Sequence, residues 1–109
     1  MAARVLVSDP AREDIDGIWD HLAHDASPEI ADFVAARVFE VMYRAAERPL
    51  IYRKRTEFFG EPRRINVFSY ATFFDVLEGN DGIFVWRVVH ARRDLYRVIG
   101  KPAGRRRIF

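Results

Sequence analysis

The chain has 109 residues, half of them hydrophobic and 14% aromatic, a composition that suits one domain with a single core and excludes disorder as the main state. It contains no cysteine, which excludes disulfides, thiolate catalysis and cysteine–zinc sites. The net charge of +2 hides a division: residues 1–48 carry five arginines against ten carboxylates, a net of −5, and residues 49–109 carry thirteen basic against six acidic residues, a net of +7. An anionic partner would therefore meet the second half.

The opening MAARVLVSDP has an apolar run too brief for a signal peptide, and no later run approaches membrane-spanning length. A soluble, cytoplasmic protein is expected. Arg4 to Val7 is a short strand candidate, stopped by Ser8-Asp9-Pro10, where Asp9 can cap a helix and Pro10 take its first position. Ile15, Ile18, Trp19 and Leu22 then recur at helical spacing, which predicts a helix from Pro10 to Ala23 with acidic residues in its first turns. Ser27-Pro28-Glu29 repeats the start signal. A second helix carries Ile30, Phe33, Val34, Val38, Val41, Met42 and Ala45 and stops near Arg48, before Pro49. The short connection makes the pair an antiparallel hairpin. Trp19, Phe33 and Met42, at helical spacing, read as core.

Leu50 to Pro62 has no sustained period and reads as a loop over the basic face. Arg63 to Phe68 and Tyr70 to Leu77 are strands, with Ser69 as a turn or bulge between them. Glu78 to Gly82 is a dense turn signal before the longest strand, GIFVWRVVH. That strand reads as central and covered on both faces, because a wet face would show a polar residue at every second position. Strict alternation places Ile83, Val85 and Val89 on one face and Phe84, Trp86 and Val88 on the other. Arg87 alone breaks the apolar run and must reach the sheet margin or a carboxylate. Asp75 or Glu78 would serve Arg64 and Arg87 across the strands. The predicted fold class is α+β: an N-terminal strand, a two-helix hairpin packed on one face, and a three-stranded antiparallel meander, in the order β-α-α-β-β-β. The strand ends in His90-Ala91-Arg92-Arg93-Asp94 and delivers a polar cluster to one end of the sheet. Residues 95–100 continue as a short helix or an extended arm. Residues 97–109, ending GRRRIF, form a basic C-terminal arm on a single domain spanning residues 1–109.

Several chemistries find no residues here. There is no glycine-rich phosphate loop and no HExxH helix, and His21, His24 and His90 make no metal set with nearby carboxylates. No metal and no cofactor are expected. The usable groups are arginines, a few tyrosines and one histidine on the sheet side. Such a set can hold an anionic surface, or it can assist RNA cleavage through the 2′-hydroxyl if pKa values are suitably displaced.

The ordered set PAREDIDGIWDHL, SPEIADFVAARV, RRINVFSYATFFDV and WRVVHARRD resembles the ParE/RelE superfamily of toxins from type II toxin–antitoxin modules, and its ending looks most like the ParE branch. The resemblance covers nearly the whole chain. It implies a cytoplasmic bacterial toxin, of the kind tied to plasmid stabilisation, in a hetero-oligomer with a cognate antitoxin whose C-terminal segment wraps over the helices and sheet. A ParE-like member poisons DNA gyrase by protein contact and has no catalytic residue; His90, Arg92, Arg93, Arg105, Arg106 and Arg107 are then the target-binding candidates. A RelE-like member is an endoribonuclease that cuts messenger RNA on the ribosome, and Arg64, Arg87, Arg92 and Tyr96 are the nearest matches to its catalytic set. The acidic helical hairpin departs from the lysine-rich second helix of that branch, and the GKPAGRRRIF tail departs from both.

Overall fold

The structure, a computed structural model, describes residues 3–100. Four strands, β1 (Arg4–Val7), β2 (Arg63–Val67), β3 (Tyr70–Val76) and β4 (Gly82–His90), form one sheet in the order β1-β4-β3-β2. The meander is antiparallel, and β1 pairs parallel with β4, Arg4 opposite Gly82 and Val7 opposite Val85. A parallel neighbour needs a long crossover, and here two helices provide it: α1 (Asp9–Asp25) and α2 (Pro28–Glu47). The expected order and the central place of β4 are both observed.

The caps shift slightly from expectation. Ser8, not Asp9, caps α1, its Oγ accepting from the Ala11 N–H at 3.1 Å, so that Pro10 falls within the first turn. Ser27 caps α2 in the same way through the Ile30 N–H. The first helix ends at Asp25, slightly beyond the predicted Ala23. After α2, Pro49–Ile51 forms one turn of 3-10 helix. The segment to Pro62 is otherwise irregular, except that Lys54 bridges Arg63 along the outer edge of β2.

One face of the sheet carries the main core, in which Ile83, Val85, Val88 and Phe74 meet Ala11 and Ile15 of α1 and Val38 and Met42 of α2. The opposite face is also covered. Phe58 from the irregular segment lies with Ala71, Phe73 and Val89, and Trp86 and a short helix, α3 (Leu95–Ile99), pack around them.

The two faces of β4 differ from strict alternation because of a bulge. Phe73 and Phe74 of β3 stand opposite Arg87 and Val85, which leaves Trp86 as an extra residue. The bulge resets the period: Val88 joins Ile83 and Val85 against the helices, while Val89 moves to the Trp86 face. Two glycines make room. A Cβ on Gly82 would lie 2.1 Å from the Arg4 carbonyl oxygen, closing the space β1 uses, and one on Gly60, at φ +79°, would lie 2.5 Å from the Trp86 ring.

Of the three residues read as core, only Met42 is fully buried. Trp19 is half-buried and donates its indole N–H to Asp32 at 2.8 Å. Phe33 is 65% exposed, resting on Phe68 with ring centroids 6.2 Å apart. Phe68 occupies the two-residue turn between β2 and β3 at φ +53°, a left-handed conformation that costs a bulky residue about 1–2 kcal/mol.

Candidate functional site at the end of β4

Beyond Val85, the edge of β4 opposite β3 has no strand beside it, because β1 has ended. The start of α1 takes over. The Ser8 N–H donates to the Val85 carbonyl at 3.0 Å, and its Oγ–H to the Trp86 carbonyl at 2.7 Å. Further along α1, Asp14 accepts the Val88 N–H at 3.0 Å and receives the Arg87 guanidinium in a fork, Nε at 2.6 Å and Nη2 at 2.8 Å. Arg87 thus finds its carboxylate on α1 rather than at Asp75 or Glu78, and that hydrogen bond holds its pKa above the ordinary arginine value. Asp75 instead accepts the Trp86 indole N–H at 2.9 Å, and burial raises its carboxyl above the usual range.

The polar end of β4 is ordered by its own backbone. His90 Nδ1 accepts the Arg92 N–H at 3.1 Å, and the His90 carbonyl accepts the Arg93 N–H at 3.0 Å. With Nδ1 used as an acceptor, the imidazole can donate only through Nε2. Tyr70 stands opposite His90 across the ladder, edge-on at 5.6 Å, and burial raises its phenol pKa. The chain then turns, and the Asp94 side chain caps α3 by accepting the Arg97 N–H at 3.3 Å.

Two clefts meet here. One, of about 380 Å³, lies between α1 and the end of β4, and Glu13, His21, Tyr70, His90 and Arg93 line it. The other, of about 510 Å³, lies between β4 and α3, lined by Arg87, Arg93, Asp94, Arg97 and Val98. Arg93 forms the divide between them. His90 and Arg93, both target-binding candidates, therefore share a cleft, whereas Arg92 is exposed in the turn and borders neither. Arg105, Arg106 and Arg107 lie outside the described residues.

The four candidates for RNA cleavage are spread over different environments. Arg64 lies over the Phe73 ring at 5.7 Å with its Nε on Asn66 at 3.0 Å, and burial lowers its pKa. Arg87 is held by Asp14. Tyr96 packs its ring on Phe58 at 5.0 Å, and Arg92 stands apart in the turn. Arg64 and Tyr96 do border one aromatic group, because Phe58 also meets Phe73 at 5.1 Å. Among the described residues no group of three or more histidines and carboxylates could hold a metal ion, and no helix is long and apolar enough to cross a membrane.

Sequence patterns do not mark Asp14, His21, Tyr70 or Arg97 as members of this site.

Among curated proteins none matches the chain. A solved structure described as "Chromosomal ParDE TA system from P. aeruginosa" superposes with a TM-score of 0.69 at 18% identity, covering 82% of this chain and 96% of that one. At such low identity the likeness shows a shared fold. The pattern of the family described as "ParE toxin of type II toxin-antitoxin system, parDE" matches residues 5–95, from β1 to the first residue of α3. The chain belongs to the ParE toxins of type II toxin–antitoxin systems.

Proposed function

We propose that this toxin acts on DNA gyrase by protein contact, without a catalytic step, and that a cognate ParD-type antitoxin holds it inactive in the bacterial cytoplasm. The observation that carries the reading is the state of the ribonuclease candidates. Arg87 is paired with Asp14, Arg64 lies over Phe73 with its Nε on Asn66, the Tyr96 ring packs on Phe58, and Arg92 stands apart in the turn. An acid–base site needs its groups converging within hydrogen-bond reach of one reacting centre, and no such convergence supports cleavage. The open end of β4, with His90 and Arg93, is the better surface for a macromolecular target.

The antitoxin reading rests on a different region. Exposed Ile30, Phe33 and Phe68 form an apolar patch beside Glu29 and Asp32, and the helical hairpin bears most of the acidic charge. Its partner segment is accordingly amphipathic, with an apolar stripe and basic flanks.

Purified toxin added to a gyrase supercoiling reaction is expected to block supercoiling or leave cleaved DNA. The same preparation in a translation extract is expected to leave messenger RNA intact. Full supercoiling at excess folded toxin, or codon-spaced cuts lost in Tyr96→Phe, would overturn the reading in favour of a ribosome-dependent nuclease.

A further inference from the structure

We infer that the cleft between β4 and α3 binds the phosphate backbone of duplex DNA, with Arg93 and Arg97 as its phosphate-binding residues. The inference rests on the proposed target-facing role of this end and deepens it by naming the chemistry that it would grip.

Three arginines line one open cleft of about 510 Å³, and Asp94 is the one acid among the lining residues. The Asp94 carboxylate is engaged in capping α3 through the Arg97 N–H. Arg87 is engaged toward α1 by Asp14 and forms a fixed wall. Arg93 and Arg97 have no ion pair or side-chain hydrogen bond among the described residues, whereas Arg4, Arg37, Arg44 and Arg55 each meet a carboxylate. Two free cations on one cleft repel each other, and an anion between them relieves that repulsion.

The cleft is also built on firm supports. Leu95, Val98 and Ile99 fix α3 to the Phe58, Phe73 and Val89 group, which leaves Arg97 on the solvent side. The Phe59 N–H donates to the Gly100 carbonyl at 2.8 Å, and the Gly100 N–H to the Tyr96 carbonyl at 2.8 Å, pinning the end of the helix. Arg93 is tied through its backbone to His90. Guanidinium forks on a pre-set frame suit phosphate oxygens, and four of the five residues lining this cleft are charged, with Val98 the one apolar residue among them.

The test measures binding of the full chain to a labelled mixed-sequence duplex by anisotropy across a salt series, without gyrase. Removing one phosphate-binding cation lowers the slope of log affinity against log salt by about 0.9. Arg93→Gln and Arg97→Gln are each expected to reduce the slope by about 0.9 and the double variant by about 1.8, with unchanged circular dichroism. Arg44→Gln, on a residue already paired with Glu40, is expected to leave the slope in place. Three results would overturn the inference: no affinity of folded wild type at low salt, an unchanged slope in the double variant, or polyglutamate binding as tightly with the same dependence on Arg93 and Arg97. Gyrase poisoning without DNA affinity would remove this inference and leave the target reading standing. DNA affinity without any effect on gyrase would do the reverse.

Discussion

Past Val85 the open edge of β4 is completed from α1: Ser8 satisfies the Val85 and Trp86 carbonyls, and Asp14 takes the Val88 N–H and the Arg87 guanidinium together. Its carboxylate is 11% exposed and receives three donors, two from Arg87 and one from the Val88 backbone. Removing it orphans a backbone N–H and leaves a guanidinium without its partner, each a costly state in a half-dry setting. Asp14→Ala is therefore expected to destabilise the fold by about 2–4 kcal/mol, read from urea unfolding. Arg87→Ala leaves Asp14 still accepting from Val88 and should cost less, about 1–2 kcal/mol. Equal losses in the two variants would mean that the backbone contact contributes nothing. In the sequence Asp14 is not separable from Glu13, Asp16 and Asp20, since all four suit the acidic start of a helix. Which of them meets β4 is set by how α1 crosses the sheet, and no local pattern records that. That Arg87 must reach the sheet margin or a carboxylate is legible in the sequence, because a lone charge in an apolar run has few alternatives; which of the two, and which carboxylate, is not.

At the scale of elements, the alternation of β4 was readable only as far as the bulge. Trp86 adds one residue to the strand, and every side chain after it changes face relative to a regular ladder. The β2–β3 turn holds the other departure. Phe33 lies on the apolar stripe of α2, so its spacing marks it as core. But α2 is about 30 Å long, its fully buried residues other than Ala31 lie from Val38 onward, and in its first turns Phe33 reaches only the tip of the turn at Phe68. An exposed aromatic residue kept in a left-handed conformation is strain without benefit to the isolated fold. Phe68→Asn should relieve it, raising the stability of the free toxin by about 1 kcal/mol, while weakening the antitoxin complex roughly tenfold by removing an aromatic anchor. Thermal unfolding of the free chain and titration with antitoxin would measure both. A variant that loses stability and keeps full antitoxin affinity would show that the turn serves folding alone.

Across the described residues, charge is divided as the chain is: the −5 of residues 1–48 lies in β1 and the helical hairpin, and residues 49–100, in the sheet and loops, carry nine basic against six acidic residues, a net of +3. This polarity was visible in the sequence, and the fold preserves it by keeping the crossover helices together on one face. It separates the two proposed partners, a basic antitoxin segment on the hairpin and an anionic surface at the end of β4. Asp16 and Asp20 are both exposed on α1 and form no ion pair among the described residues, so they contribute field rather than structure. Exposed charges of this kind act mainly on encounter rates and are screened by salt. Asp16→Asn with Asp20→Asn is thus expected to slow antitoxin association severalfold at low salt, with the difference fading above about 0.5 M. Dissociation should be nearly unchanged, and the toxin dose that inhibits gyrase should stay within about twofold. Stopped-flow mixing across a salt series measures the first effect. A rate difference that persists at high salt would mean that these carboxylates make direct contacts, and a matching loss of gyrase inhibition would place both partners on one surface.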